Sequence, residues 1–303
     1  MSVRDPEVLL EGITNAEGPV VLPDGRVLFT DTYRGLLNVW SDDGRESIFA
    51  KVGGYPNGTT LGSDGLVYIA NNGGALGELR AFDSGPGCIQ RVAEGGRPET
   101  IATEIDGRAL NRPNDISFGP DGRLYFTDPG DWNPEDPEPG YIYVLHPDGR
   151  GETLLEVGGA YPNGVAVDAD GNVVWVESFT GRMRRLNAQG EIEEIHAFAP
   201  GHMPDGMAIA ANGDIYVSTL YSGGVHRVSP DGSGAELIDL GGTVLTNCAF
   251  RGEELFLTDN GPEQRNALGH SYWGSGRLLR LRLEVAGMPI YGGSVAPGVA
   301  VRG

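Results

Sequence analysis

Short runs of aliphatic, β-branched and aromatic residues recur along the chain, and each run ends on a polar residue. Residues 27–31 and 124–128 are two such runs. An Asp-Gly or Asn-Gly pair lies just before most of them, as Asp24-Gly25 lies before the first. These pairs supply the positive φ that a tight hairpin turn requires, and the runs have the composition of short strands. The pattern predicts an all-β chain built from hairpins.

The same phrase returns six times, so an internal repeat organises the whole sequence. Each copy starts from an acidic or amide residue, which we call the anchor. In five copies the Asp-Gly or Asn-Gly pair follows seven and eight residues later, and a polar residue closes the second strand fourteen residues after the anchor. The six anchors are Glu17, Asn57, Asn114, Asn163, Asp205 and Asn247. Their spacings of 40 to 57 residues suit four short strands per repeat.

These spacings predict a six-bladed β-propeller of four-stranded antiparallel blades, and we expect one domain over residues 1–303. A propeller must join its two ends to remain a closed ring. We therefore expect a first strand near residues 8–10 to pair with late strands near 278–283 and 299–301.

The anchor and the closing polar residue lie at the same end of each hairpin, so the six anchors should share one face of the ring. If the first strand of each blade is innermost, the anchors converge on the central channel. Asn and Asp also shape turns, but a turn would not need Glu17, and crowded polar groups need a partner. Carboxylate and amide oxygens without His or Cys suit calcium first, then magnesium or manganese. We expect one divalent metal ion here.

Side chains two residues before the anchors should point the same way as the anchors and form the pocket wall. They are Tyr55, Arg112, Tyr161, Met203 and Leu245. Arg112 would be a cation near a metal, so it either contacts an anionic or strongly polar ligand or pairs with Asp115 or Asp128. His202 precedes an anchor by three residues and either donates a proton or is simply solvated.

Loops that follow the closing polar residues open on the anchor face. The segments 131–138 and 260–273 should therefore overhang the pocket mouth as lids. A further insertion, roughly residues 84–98, is expected between a third and a fourth strand at the opposite end of a blade.

Charge excludes some partners. The chain has 22 basic and 42 acidic residues and a net charge of −20, which repels phosphate backbones and anionic membranes. Cys88 and Cys248 are far apart and have no metal-type spacing. No stretch approaches eighteen apolar residues, and the first residues lack an apolar segment. We expect a soluble, cytoplasmic protein that binds neither nucleic acid nor membrane.

Four motifs resemble those of the family of six-bladed propellers that includes the senescence marker protein, gluconolactonase and the luciferin-regenerating enzyme. They are Ala-Glu-Gly-Pro at 16–19, Asn-Arg-Pro-Asn-Asp at 111–115, Pro-Asn-Gly at 162–164 and Pro-Asp-Gly at 204–206. Each is short, but their order and spacing are specific. The resemblance covers essentially the whole chain.

The resemblance implies roles for individual residues. Glu17, Asn163 and Asp205 match the metal-binding triad of the lactonases, and Asn114 matches an Asn that adds a further metal or substrate contact. Arg112 matches an arginine that contacts the sugar lactone in some members. Asp205 matches the residue proposed as general base, or as nucleophile in related organophosphate-hydrolysing propellers.

Trp132 stands where some sugar lactonases carry a glutamate, so a lactone less polar than a sugar lactone is an alternative substrate. With Arg112 and Asn114, the expected substrate contacts are Trp132, Tyr161 and His202. The bound ion is expected to be calcium first, with magnesium, manganese, zinc and iron as alternatives.

The implied activity is that of a metal-dependent hydrolase that opens a small, sugar-type lactone with an activated water and a carboxylate base. Apart from the resemblance, the residues fit this chemistry, because a Lewis-acidic ion can polarise an ester carbonyl beside a carboxylate. No Gly-x-Ser-x-Gly motif is present to supply a serine nucleophile. Two alternatives stay open: a phosphotriesterase-like hydrolase on the same site, and a non-enzymatic propeller that binds a protein or peptide at its rim.

Overall fold

Six four-stranded antiparallel sheets form the body of the protein. The structure is a computed structural model that describes residues 4–76, 79–265 and 271–297. Within these ranges no α-helix occurs, and a single 3₁₀ turn spans Thr32–Arg34. The predicted six-bladed propeller of four-stranded blades is confirmed.

The chain begins with strand β1 (Glu7–Ile13) and then builds the blades in order. Blade 1 consists of β2 (Ala16–Val21), β3 (Val27–Asp31), β4 (Leu36–Trp40) and β5 (Glu46–Lys51). Blade 2 contains β6 (Pro56–Leu61), β7 (Val67–Asn71), the small hairpin β8 (Ala75–Leu76) and β9 (Leu79–Arg80), then β10 (Cys88–Val92) and β11 (Glu99–Ala102). After the hairpin β12 (Glu104–Ile105) and β13 (Arg108–Ala109), blade 3 consists of β14 (Ile116–Phe118), β15 (Leu124–Asp128), β16 (Gly140–Leu145) and β17 (Gly151–Gly158).

The second half of the ring follows the same plan. Blade 4 consists of β18 (Pro162–Val167), β19 (Val173–Glu177), β20 (Arg182–Leu186) and β21 (Ile192–Ala197). Blade 5 consists of β22 (Met203–Ile209), β23 (Ile215–Leu220), β24 (Gly223–Val228) and β25 (Ala235–Thr243). Blade 6 contains β26 (Leu245–Arg251), β27 (Glu254–Asp259), the hairpin β28 (Gln264–Arg265) and β29 (Ser271–Tyr272), and β30 (Gly276–Arg282).

Strand β1 closes the ring. It is the outermost strand of blade 6 and pairs with β30, for example Glu7 with Arg280 and Leu10 with Leu278. The predicted closure by the first strand on residues 278–283 is thereby confirmed. Residues 299–301, the other expected partner, lie outside the described residues.

Aromatic and aliphatic side chains fill the spaces between blades. Tyr68 of blade 2 meets Phe118 of blade 3 edge to face, with ring centroids 5.1 Å apart. Trp40 of blade 1 and Phe256 of blade 6 lie 6.1 Å apart across the closure. Burial of such rings on both faces of every blade holds the ring together.

Glycines after the anchors let neighbouring inner strands approach each other. We call the end of the ring that carries the anchors the upper face, and the end that carries the Asp-Gly turns the lower face. A Cβ on Gly18 would overlap the carbonyl oxygen of Asn57, and one on Gly164 would overlap that of Asp205. These glycines are therefore required by close packing around the axis, and not by turns.

We expect Gly164→Ala to destabilise the protein by about 1–3 kcal/mol, because the new methyl group must displace the backbone at Asp205. Gly234→Ala is the matched control, because the nearest atom to a Cβ there is Ser229 Oγ at 3.7 Å. Urea unfolding of the two variants measures the difference. Equal stability of both would show that the inner strands can shift freely.

A late segment covers the lower end of the channel. Met288 N donates to Ile209 O at 2.8 Å, and farther along Ser63 N donates to Gly293 O at 2.8 Å, so the segment crosses from blade 5 to blade 2. Beneath it lies a cavity of about 380 Å³, the lower cavity, lined by the lower halves of the inner strands and by Gly287 to Tyr291.

The predicted position of the 84–98 insertion is wrong. Residues 88–92 form β10, the third strand of blade 2, and the long connection is 72–87 between the second and third strands. Its described residues lie on the upper face, where Gly54 N donates to Asp83 Oδ1 and Phe82 N donates to Tyr33 O. Strand β10 was missed because Gln90 and Arg91 interrupt its apolar pattern.

Candidate functional site

A cavity of about 780 Å³ opens at the upper face of the channel, and we call it the upper cavity. Its floor is formed by five of the six anchors: Glu17, Asn57, Asn114, Asn163 and Asp205. All five are almost completely buried, with 3–6% of their surface exposed. The structure therefore brings the four predicted metal ligands together on one floor.

The sixth anchor was misassigned by one residue. Leu245 pairs with Asp259 as Ala16 pairs with Asp31, so Thr246 occupies the position equivalent to Glu17. Thr246 lines the upper cavity, whereas Asn247 faces the lower one. Blade 6 is shorter between its first two strands and bulges earlier, which shifts its register by one residue.

Two polar side chains divide the upper cavity from the lower one. Asp115 and Asn247 occupy the position that is glycine in the other four blades, and Asn247 Nδ2 donates to Asp115 Oδ2 at 3.3 Å. A Cβ on Gly58 would overlap Asp115 Oδ1, and one on Gly206 would overlap the Asn247 side chain. Gly58 and Gly206 thus make room for this pair across the channel.

Three buried carboxyl groups lie near the axis and perturb one another. Burial, followed by the charge of Asp115, raises the pKa of Glu17 to about 8. Burial raises the pKa of Asp115 to about 7. Burial, and then the charges of Glu17 and Asp115, raise the pKa of Asp205 well above its ordinary value. Ionising all three at neutral pH requires compensating positive charge.

The floor has the features that a hard cation would satisfy. Asn163 Nδ2 donates to Ser178 Oγ at 3.0 Å, which turns Asn163 Oδ1 towards the cavity, and this buried oxygen has no hydrogen-bond partner. Asn57 Oδ1 is likewise buried without a partner. Among the described residues no three His, Cys, Asp or Glu side chains converge closely enough to hold a metal by themselves. The floor is instead a mixed set of carboxylate and amide oxygens, which fits calcium.

Trp132 and Tyr161 line one wall of the upper cavity, and Phe179 packs against both rings. Trp132 lies edge to face on Tyr161, with centroids 4.8 Å apart, and on Phe179 at 5.1 Å. Tyr161 has a φ of +58° and Tyr221, also in the lining, a φ of +62°. Left-handed backbone at bulky residues is costly and occurs where the surrounding structure imposes it, often at functional sites.

Arg112 and His202 do not line the cavity. Arg112 Nη1 donates to Asn111 O at 3.0 Å, and its Nε lies 3.9 Å from Asp131 Oδ1, so the guanidinium lies behind the mouth. His202 Nδ1 lies 3.3 Å from His226 Nε2. Met203 and Leu245 are also absent from the lining, whereas Tyr55 and Tyr161 belong to it.

Residues of both predicted lid segments form the mouth of the upper cavity. Residues 131–135 contribute from the loop between β15 and β16. Asn260, Glu263, Arg265 and Trp273 contribute from the other segment, of which residues 266–270 lie outside the described residues. Residues 136–138 are not in the lining, and Glu138 Oε2 accepts a hydrogen bond from Asp131 N at 2.9 Å.

The region model described as SMP-30/gluconolactonase/LRE-like matches residues 15–259, which include all six inner strands. The chain belongs to this family. The gluconolactonase of Zymomonas mobilis is 31% identical over 194 residues, which are 57% of this chain and 51% of that protein. This chain therefore spans about half the length of that curated relative.

Solved structures share the whole fold. A structure described as a candidate gluconolactonase is 27% identical, with a TM-score of 0.72 and 94% of each chain covered. Regucalcin from Agrobacterium tumefaciens, described as a calcium-binding protein, has a TM-score of 0.75 at 18% identity, covering 98% of this chain and 100% of that one.

Within the described residues of this family member, no helix is long and apolar enough to cross a membrane.

In this member of the SMP-30/gluconolactonase/LRE-like family, the structure adds three residues to those singled out from the sequence. Thr246 completes the ring of anchors, Asp115 is a third axial carboxyl group, and Tyr221 forms part of the lining. The sequence signal for Asp115 was present, because it replaces the glycine that follows four other anchors. The sequence carried no signal for Thr246, because the shifted bulge is a feature of strand pairing.

Proposed function

We propose that this protein is a metal-dependent lactonase that opens a small lactone in the upper cavity. The observation that carries the proposal is the floor, where Glu17 and Asp205 lie beside the unpartnered Asn163 Oδ1 at the base of an open cavity. Membership of a family that includes gluconolactonase, and the 31% identity to the Zymomonas enzyme over part of its length, support the same reaction class.

Glu17, Asn114, Asn163 and Asp205 would hold one divalent cation, with calcium as the first choice. Two carboxylates match its charge, and the calcium-binding regucalcin shares the fold. When bound, such an ion supplies positive charge that polarises an ester carbonyl and acidifies a nearby water.

Asp205 acts as the base in this proposal. Its carboxylate accepts a proton from the water whose oxygen attacks the lactone carbonyl carbon. The ring C–O bond then breaks, and the proton passes to the departing ring oxygen, which leaves a hydroxy acid. Trp132 and Tyr161 would position the lactone ring against the floor, and Asn114 would orient it.

A lactone panel tests the proposal. Chelator-treated protein is assayed on aldonolactones and on simple γ- and δ-lactones, with calcium, magnesium, manganese, zinc or iron(II) added back singly. We expect turnover to return with one ion. Hydrolysis of organofluorophosphates without lactone turnover would favour the phosphotriesterase alternative. Tight ion binding without turnover of either class would favour a binding scaffold.

We expect Arg112→Ala to raise KM several-fold with little change in kcat. Arg112 lies outside the lining but 3.9 Å from Asp131 at the mouth, so its loss should loosen the loop that holds the substrate. Steady-state kinetics on the best lactone of the panel measures this. An unchanged KM would show that Arg112 does not hold this loop in its substrate-binding position.

A further inference from the structure

The charged side chains around the upper cavity are predominantly acidic. Carboxylates lie both on the floor, at Glu17 and Asp205, and at the mouth, at Asp131, Glu135 and Glu263. Arg265 is the one cationic side chain in the lining within the described residues. A divalent cation on the floor would still leave the lining net negative. Clefts lined by one sign of charge concentrate the potential, and the net charge of −20 reinforces it.

Aromatic rings and carboxylates line the same cavity. Trp132, Tyr221 and Trp273 lie in the lining together with the acidic side chains. Tyr221 is held with a φ of +62°, and burial followed by the charge of Glu263 raises the pKa of its hydroxyl. Aromatic faces attract cations through the ring quadrupole, and nearby carboxylates add Coulomb attraction. The combination is typical of sites that recognise an ammonium group.

The floor also offers a hydrogen-bond acceptor beyond the proposed cation ligands. Asn57 is 3% exposed and lines the upper cavity, and its Oδ1 has no partner. A buried acceptor without a partner is costly, so a ligand that brings donors is favoured over one that brings only acceptors.

In the described part of the chain, no cluster of cationic side chains that could bind an anionic substituent faces the cavity. The guanidinium of Arg112 lies behind the mouth, bonded to Asn111 O and near Asp131. Arg265 is exposed at the rim, where solvent weakens its field.

We infer that the upper cavity selects its lactone by charge, and takes neutral and preferably cationic lactones while excluding those that carry a carboxylate. The inference rests on the proposed lactonase function and specifies its substrate class. A cationic substituent would lie among the mouth carboxylates and the rings of Tyr221 and Trp273. The same field would speed release of the product, because hydrolysis converts a neutral ester into a carboxylate.

A matched ligand series tests the inference. Three γ-butyrolactones carry a trimethylammoniomethyl, a neopentyl or a carboxymethyl group on the same ring carbon, so the first two differ almost only in charge. The three corresponding pyrrolidin-2-ones are lactams that bind without being opened in the assay. We expect kcat/KM, and lactam affinity by tryptophan fluorescence, to fall from cation to neutral to anion, on the order of 100-fold overall at low salt. The spread should narrow in high salt.

The double variant Glu135→Gln/Glu263→Gln should reduce this spread on the order of tenfold. Glu11→Gln is the control, because it removes one charge at an exposed position on β1, the outermost strand of blade 6. Equal affinity of the trimethylammonium and neopentyl lactams, or tightest binding of the carboxylate, would overturn the inference. Lactam selectivity without any lactone turnover would uphold it and reject the lactonase proposal. Lactone turnover with equal kcat/KM for the three substituents would uphold the lactonase proposal and overturn the inference.

Discussion

Asp205→Asn is expected to lower kcat by about 10²–10⁴-fold at saturating cation while leaving the fold intact. The amide keeps the size of the carboxyl group and one oxygen ligand, but it cannot accept the proton from the attacking water. The variant also removes one of three mutually repelling axial carboxyl groups, since Glu17 and Asp115 both raise the pKa of Asp205. We therefore expect thermal stability in chelator to rise although activity falls.

The control for this variant is Asp170→Asn. Asp170 is exposed in the turn of blade 4 on the lower face, and Asn-Gly forms the same kind of turn as Asp-Gly. It makes the same chemical change far from the floor, so kcat should stay at the level of the unmodified protein. If Asp205→Asn retained nearly full kcat with cation bound, the assignment of Asp205 as base would be wrong.

The fold could be predicted because its determinants are local. An Asp-Gly or Asn-Gly pair forms the turn of five of the hairpins within about fifteen residues, and six hairpins at these spacings leave few architectures other than a propeller. Strand β10 was the weak point, because Gln90 and Arg91 lie half-buried in it and interrupt the apolar run. Its misplacement moved the connection 72–87 to the wrong end of blade 2.

The floor of the site could be predicted only where strands keep their regular period. The inner strands of three blades share the same kind of bulge, and their anchors Glu17, Asn163 and Asp205 converge as expected. The side chain of Arg112 does not reach the cavity lining as the period of a strand would predict, because residues 111–115 precede a short β14 and lack regular strand geometry. Leu245 packs into the core between blades 5 and 6, with no exposed surface. Pairing register and irregular backbone are tertiary properties, and the period of side chains along one strand does not contain them.

The same axial carboxyl groups predict how stability depends on pH when the cation is removed. In the cation-free folded protein the pKa of Glu17 is raised to about 8 and that of Asp115 to about 7. In the unfolded chain both ionise near their ordinary values, so the folded state binds more protons between these limits. Stability must then fall as pH rises towards 8. A bound cation favours the ionised groups, so its affinity should increase over the same interval.

Other groups limit the useful pH range. The pKa of His226 is lowered to about 4 by burial and by the neighbouring His202 and His196, so below about pH 6.5 its titration raises stability with pH and opposes the carboxyl effect. The thiols of Cys88 and Cys248 have pKa values raised to about 12, so above about pH 8.5 they lower stability as the unfolded chain ionises. Between pH 6.5 and 8 the pH dependence of stability therefore reports on the axial carboxyl groups, and not on His226 or the two thiols.

Between pH 6.5 and 8 we expect the chelator-treated protein to lose about 2 kcal/mol of unfolding free energy, or about 4 °C in Tm. Excess calcium should remove most of this loss, so that the calcium-induced rise in Tm is larger at pH 8 than at pH 6.5. Glu17→Gln should flatten the pH dependence in chelator, because the amide is uncharged throughout and relieves Asp115 and Asp205 of a neighbouring charge. Differential scanning fluorimetry at four pH values, with chelator or calcium, measures all three effects. A calcium shift of equal size at pH 6.5 and pH 8 would mean that the ion binds away from Glu17 and Asp205.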